Sequence, residues 1–180
     1  PDNWINGRCY RPAPIEQSLQ PGSDMEAAIA KLPSEMQLSK LAKGKSTCVI
    51  AVDGENPVVG RRLLSRLIEM IEAETEIAPG AITVIVSNRL LSPLREEDLE
   101  RFIPEEVRNG YRVLLHDPFD PEGNDSIGHS PTGKIPLILN SAFLEADFKV
   151  VLGGVRPHML SGFTGGRSVI LPGLASEETL

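Results

Sequence analysis

Apolar and polar positions along the chain fall into two recurring patterns, short unbroken apolar runs and longer stretches at helical spacing. Residues 47–52 (TCVIAV) and 81–86 (AITVIV) are β-rich runs with little polar interruption, the pattern of strands covered on both faces, as in a parallel sheet. Between them Leu63, Leu64, Leu67, Ile68 and Ile71 recur at helical spacing behind Pro57, which fits the first helical position, with Asn56 at the N-cap. The pattern then repeats, as a short acidic helix over 94–102 (LREEDLERF) leads into a strand over 112–115 (RVLL). Such alternation favours right-handed βαβ units.

Further along, residues 116–134 (HDPFDPEGNDSIGHSPTGK) are rich in Gly, Pro, Asp and Ser and predict an irregular loop, unusually long for a compact domain. Strands at 135–139 and 148–152, with a short helical piece at 141–146, are expected to return the chain to the sheet. The segment 153–173 (GGVRPHMLSGFTGGRSVILPG) is dense in glycine and ends in one more apolar run, 168–171. Residues 1–46 mix Pro, Gly and charge, with only 24–32 (DMEAAIAKL) reading as helix. The expected organisation is an N-terminal arm over 1–46 and an α/β cofactor- or substrate-binding domain over 47–180. The fold expected of the latter is a Rossmann-like, doubly wound, mostly parallel sheet with flanking helices and a long irregular loop.

Composition narrows the partners. With 180 residues, 41% hydrophobic, the chain supports one substantial core, and 4% aromatics suit an aliphatic sheet-and-helix interior. A net charge of −7 without any basic run excludes a nucleic-acid footprint, which needs clustered Lys and Arg. Cys9 and Cys48 stand far apart and are expected as reduced thiols. No apolar run has membrane-spanning length and no secretory signal order is present, so no membrane partner and a cytoplasmic location are expected. The chain opens at Pro1 and stops at Leu180 directly after a motif, and both ends are expected to be cuts in a longer protein.

In an open parallel sheet, ligands gather at the carboxyl ends of the strands. The polar residues expected there are Asp53, then Ser87 and Asn88, His116 and Asp117, Asn140, and Arg156 with His158. Asp53 either accepts from a ligand hydroxyl or holds its own turn. His158, followed by the glycine-rich SGFTGG run, is a candidate acid or base, although a lone loop histidine is more often structural. His116 and Asp117 read as a loop tie, and His129 as solvated. Three scattered histidines give no metal-ligand spacing, so no metal site is read here. Gly162, Gly165 and Gly166 match neither a Walker A loop nor a GxGxxG turn, and no nucleophile elbow is present.

The run from Arg156 through Pro157, His158, Met159, Leu160, Ser161, Gly162, Phe163, Thr164 and Gly165 to Gly166, with Pro172 and Gly173 downstream, closely resembles the PHxxAGFSGGxK…PG motif of the nickel-dependent lactate racemase family. By order and spacing the resemblance runs back through Glu145, Ala146, Asp147, Asn140, His116 and Asp117 to Asp53, covering residues 30–180. It implies the N-terminal domain of a protein that moves a hydride off and back onto the α-carbon of a 2-hydroxy acid. It also implies a nickel pincer nucleotide tethered through a lysine thioamide, and two histidines that alternate as base and acid. His158 matches one of them, while the GTHR-like element that holds the other reads Val86, Ser87, Asn88, Arg89 here. The DxTR element reads Asp53, Gly54, Glu55, Asn56, without its arginine, and the lysine position holds Ser168, after Arg167. Serine cannot form the thioamide link, and arginine is a poor substitute.

Two functions follow as expectations. One is a racemase or epimerase of a 2-hydroxy acid with a divergent site. There His158 and Asp53 carry the chemistry, and Asn56, Gly162, Thr164, Gly165, Gly166, Arg167 and Ser168 face the cofactor or a small anion. The other is a binding protein that keeps an anion-binding crevice without the tethered nickel cofactor. A third arrangement, a freely dissociable cofactor whose phosphate Arg167 holds, is also compatible with the sequence.

Overall fold

The computed structural model describes residues 21–88, 93–159 and 161–180. Residues 1–20, which include Cys9, and also Arg89 and Leu160, lie outside them. Four parallel strands form the central sheet: β1 (Cys48–Val52), β2 (Ile82–Val86), β3 (Arg112–Leu115) and β6 (Phe148–Leu152), in the order β3-β2-β1-β6. Every residue of β1 is buried, as its unbroken apolar run requires of a central parallel strand.

Alternate side chains of β1 go to opposite faces. Cys48, Ile50 and Val52 join the larger core with Leu64, Leu67, Ile68 and Ile71 of α3 (Pro57–Glu74). Val49 and Ala51 join a smaller one with Phe143, Ala146, Val169 and Leu174. Helices α1 (Pro21–Ala30) and α2 (Leu38–Leu41) also belong to the α3 side, where Met25, Ile29, Leu38 and Ala42 enter the larger core. Helix α6 (Ser141–Glu145) covers the other side. The expected doubly wound α/β architecture is therefore observed.

Several elements differ from expectation. The acidic helix at 94–102 is a 3-10 turn, Glu96–Asp98, followed by α4 (Leu99–Phe102), and a further helix, α5 (Glu105–Gly110), begins after Pro104. The Asp98 carboxylate accepts from the Arg95 backbone N–H at 3.0 Å, which tightens the first turn. The stretch 116–134 is not irregular throughout. Its residues Asn124–His129 form β4, antiparallel to β5 (Pro136–Asn140). That hairpin stands apart from the parallel sheet, so the apolar run at 135–139 does not return the chain to it. A short antiparallel hairpin, β7 (Arg156–His158) with β8 (Gly162–Thr164), follows β6, and the apolar run at 168–171 continues from a 3-10 turn, Gly166–Val169. Among the described residues no helix is long and apolar enough to cross a membrane.

Candidate functional site

From β1 the chain winds outward through β2 and β3, then returns to the opposite side of β1 as β6. The carboxyl ends of β1 and β6 thus flank the topological switch point, where an open α/β sheet leaves a crevice. Asp53 and Gly153 follow those two ends, and the Asp53 N–H donates to the Leu152 carbonyl at 3.0 Å. Asp53 is buried, its side chain 7% exposed. Its Oδ1 accepts from the Glu55 N–H at 3.0 Å, and its Oδ2 accepts from Arg156 Nη1 at 3.0 Å. Arg156 also pairs through Nη2 with the Glu55 carboxylate. One guanidinium between two carboxylates satisfies the buried acid, which would be costly to leave unpaired.

Arg156 comes from β7, and residues directly opposite in an antiparallel pair share a face. Arg156 pairs with Thr164, and His158 with Gly162. The period of two puts Arg156 and His158 on one face of the hairpin and Pro157 and Phe163 on the other. The first face is turned to the crevice, since Arg156 reaches Asp53 and the Thr164 hydroxyl donates to Ser168 Oγ at 3.0 Å. The other is solvated, with Phe163 69% exposed. His158 Nδ1 accepts from the Ser161 N–H at 3.2 Å and lies 2.9 Å from Ser161 Oγ.

Positive φ at Gly162 (73°), Gly165 (123°) and Gly166 (57°) shapes the hairpin and its exit. At Gly165 the need for glycine is also steric, because a Cβ there would stand 2.4 Å from the Gly154 carbonyl oxygen. Ser168 locks this turn: its hydroxyl oxygen accepts from the Gly165 N–H at 2.9 Å and from Thr164. Residue 168 therefore holds backbone and cannot carry a thioamide link, so a tethered nickel nucleotide does not fit the residues present. Arg167 is exposed beside it. Asn56 stands at the N-cap position of α3 without a side-chain cap bond. Its amide lies against the hairpin base, where a Cβ on Gly154 would come within 2.5 Å of Nδ2.

On the β2 side, Ser87 Oγ accepts from the Gly54 N–H at 3.0 Å. Asn88 closes the following loop, its Oδ1 accepting from the Leu94 N–H at 2.8 Å and its Nδ2 donating to the Leu94 carbonyl at 3.4 Å. A cavity of 240 Å³ opens here between Glu55, Pro57, Ser87, Asn88, Leu94 and Arg101.

The other polar strand ends lie elsewhere. His116 is fully buried: Nε2 donates to the Ala175 carbonyl at 3.0 Å, and Nδ1 is 3.4 Å from Asn140 Nδ2. Burial pushes its pKa below the ordinary imidazole value. Asn140 is not at the crevice; it caps α6, accepting from the Phe143 N–H at 3.1 Å. Asp117 Oδ1 caps a turn at the Phe119 N–H at 2.9 Å, and His129 is exposed. Burial pushes the Cys48 thiol up to about 12, which leaves it inert. Among the described residues no three His, Cys, Asp or Glu side chains converge to hold a metal.

Sequence reasoning named Asp53, Glu55, Arg156 and His158 separately but missed the ion-paired cluster of the first three. Its sequence signal is faint: carboxylates two apart after one strand, and a cation and an imidazole two apart after another.

Helices packed on both faces of a parallel sheet, with charged side chains meeting at the switch point, define a doubly wound α/β domain with a polar crevice. The chain belongs to the lactate racemase N-terminal domain family, which matches residues 1–180. It is 27% identical over 181 residues to a lactate racemase of Lactiplantibacillus plantarum, covering 99% of this chain and 42% of that protein. To a lactate racemase of Thermoanaerobacterium thermosaccharolyticum it is 32% identical over 145 residues, covering 80% of this chain and 33% of that protein. The solved structure of the lactate racemase apoprotein from Thermoanaerobacterium thermosaccharolyticum matches with a TM-score of 0.76 and 28% identity, over 86% of this chain and 37% of that one. The chain thus spans less than half the length of each relative.

Proposed function

We propose that this chain is the proton-transfer domain of a racemase- or epimerase-type protein acting on a 2-hydroxy acid, with His158 as its acid and base and no cofactor tethered at residue 168. One observation carries the reading: His158 shares a hairpin face with Arg156, and Arg156 is anchored on Asp53 at the switch point. With Nδ1 accepting from the Ser161 N–H, the neutral ring holds its proton on Nε2. In the other tautomer Nδ1–H donates to Ser161 Oγ, and Nε2 carries the lone pair that takes a proton from a substrate hydroxyl. The Ser161 hydroxyl can donate or accept, whereas the Ser161 N–H fits only the first tautomer, so the second is reached by giving up that bond. No step of this reading runs through a nickel centre tethered at residue 168; the hydride that leaves the α-carbon when the hydroxyl gives up its proton would have to pass to, and return from, a hydride-accepting cofactor held without that bond. A small 2-hydroxy carboxylate or similar anion is the proposed ligand.

A second reading has its own support. The side chains of Asp53, Asn88 and Ser168 all hold backbone N–H groups, as in a domain that keeps the crevice for binding alone. The test is interconversion of the enantiomers of a panel of 2-hydroxy acids, followed by chiral chromatography, by the full-length protein coexpressed with cofactor-making enzymes, beside H158A. Interconversion that H158A abolishes supports the proton-transfer reading. No interconversion by wild type, together with calorimetric binding of the same acids, supports the binding reading and ends the first.

A further inference from the structure

The β7–β8 hairpin is bounded by two glycine pairs, Gly153 and Gly154 before it and Gly165 and Gly166 after it. Glycine lets the backbone pass close to its neighbours at these joints, as Gly165 does against the Gly154 carbonyl. The hairpin's apolar side chains face outward: Val155 is 78%, Met159 94% and Phe163 69% exposed. A two-stranded hairpin with so little buried apolar surface is marginal in water by itself. Its body is tied to the sheet edge by charge, Arg156 on Asp53 and Glu55, and to the turn that follows by the Thr164 hydroxyl on Ser168 Oγ. The exit glycines are held separately by Ser168.

We propose that Arg156 is a positioning residue: it latches the hairpin onto the carboxyl edge of β1 and thereby sets where the His158 imidazole stands. The guanidinium fork engages one oxygen of each of two carboxylates, and a planar fork fixes orientation as well as distance. Asp53 is the immobile side of the latch, since it is buried and its other oxygen is held by the Glu55 N–H. Glu55 is the outer side, more exposed than Asp53. Only the role given to His158 rests on the function proposed above; the latch does not.

The test is backbone amide hydrogen exchange in the full chain, together with the imidazole ¹⁵N–¹H resonances of His158, for wild type, R156Q, R156K and E55Q. In R156Q, exchange over residues 155–164 is expected to rise at least tenfold while β1 and β2 stay protected, and the His158 resonances are expected to shift. R156K is expected to fall between R156Q and wild type, because an ammonium keeps the charge without the fork. E55Q, which leaves the Asp53 pair intact, is expected to give a smaller rise than R156Q and carries the test if R156Q fails to fold. Unchanged exchange over 155–164 in R156Q or E55Q, or equal exchange in R156K and R156Q, would overturn the latch. Raised exchange with unmoved His158 resonances would overturn the positioning role. None of these readouts needs ligand, nickel or turnover, so a failed latch and a failed racemase reading are seen in different experiments.

Discussion

Single hydrogen-bonding atoms decide much of what this domain can do, and Ser168 Oγ is the sharpest example. Replacing Ser168 by alanine removes the acceptor of the Gly165 N–H and of the Thr164 hydroxyl. A lost acceptor of this kind costs about 1–2 kcal/mol, which lowers Tm by about 2–8 °C in a chain of this size. A thermal melt of S168A that matched wild type would show that the turn is held by other means. His116 gives a pH dependence whose sign follows from its burial. Its native pKa lies below the ordinary value, whereas the unfolded chain takes up the proton near about pH 6.5. Below that pH the unfolded state binds more protons, so stability is fully present above it and is lost as pH falls towards the native pKa. Denaturant midpoints measured from about pH 7.5 to 5 are expected to decline less in H116Q than in wild type. Equal slopes would remove His116 as the cause.

At the scale of elements, the glycines that join strand ends to loops tolerate no side chain. A Cβ on Gly54 would meet the Ser87 carbonyl oxygen at 1.9 Å, and one on Gly165 the Gly154 carbonyl oxygen at 2.4 Å. These are backbone clashes that no rotamer relieves, so G54A and G165A are each expected to cost about 3 kcal/mol or more. G80A, whose Cβ meets nothing within 4 Å, is the control and is expected to stay near wild type in the same urea titration. The same scale explains what could be read from the chain alone. Strands β1 and β2 and helix α3 are legible because their apolar spacing reports burial directly, and the edge strands β3 and β6 as short apolar runs that are only partly buried. Strand β4 (NDSIGH) is not legible, because pairing with β5 makes it a strand and its own side chains carry no alternation. Strands β7 and β8 are three residues each, too short for any period to register. Asp53 and His158 stood out as polar residues after apolar runs. The Arg156 cluster did not, because it forms only when β6 lies down beside β1, and no local pattern encodes that return.

Across the whole molecule, one exposed carboxylate joins segments about a hundred residues apart and supplies a test of how the sheet is closed. Asp147 Oδ2 accepts from the Ser46 hydroxyl at 2.8 Å and its N–H at 3.1 Å, and from the Thr47 hydroxyl at 3.1 Å and its N–H at 3.2 Å. The Asp147 N–H in turn donates to Thr47 Oγ1 at 2.9 Å. This clamp sits just before both β1 and β6, whose registry runs from Cys48 opposite Phe148 to Val52 opposite Leu152. It therefore fixes at the amino end the strand pair whose carboxyl ends carry Asp53 and the hairpin. The Ser46 hydroxyl foremost, with the other donors, lowers the Asp147 pKa to about 2. Because the native pKa lies below the unfolded value of about 3.9, its contribution is present above that value and is lost as pH falls through about 2. D147N, whose neutral side chain has one acceptor oxygen and no charge, is expected to be less stable than wild type at neutral pH and to converge with it in acid. If the two proteins keep the same stability difference down to about pH 2, Asp147 is not what holds β1 against β6, and the registry of the crevice must come from the buried strand contacts alone.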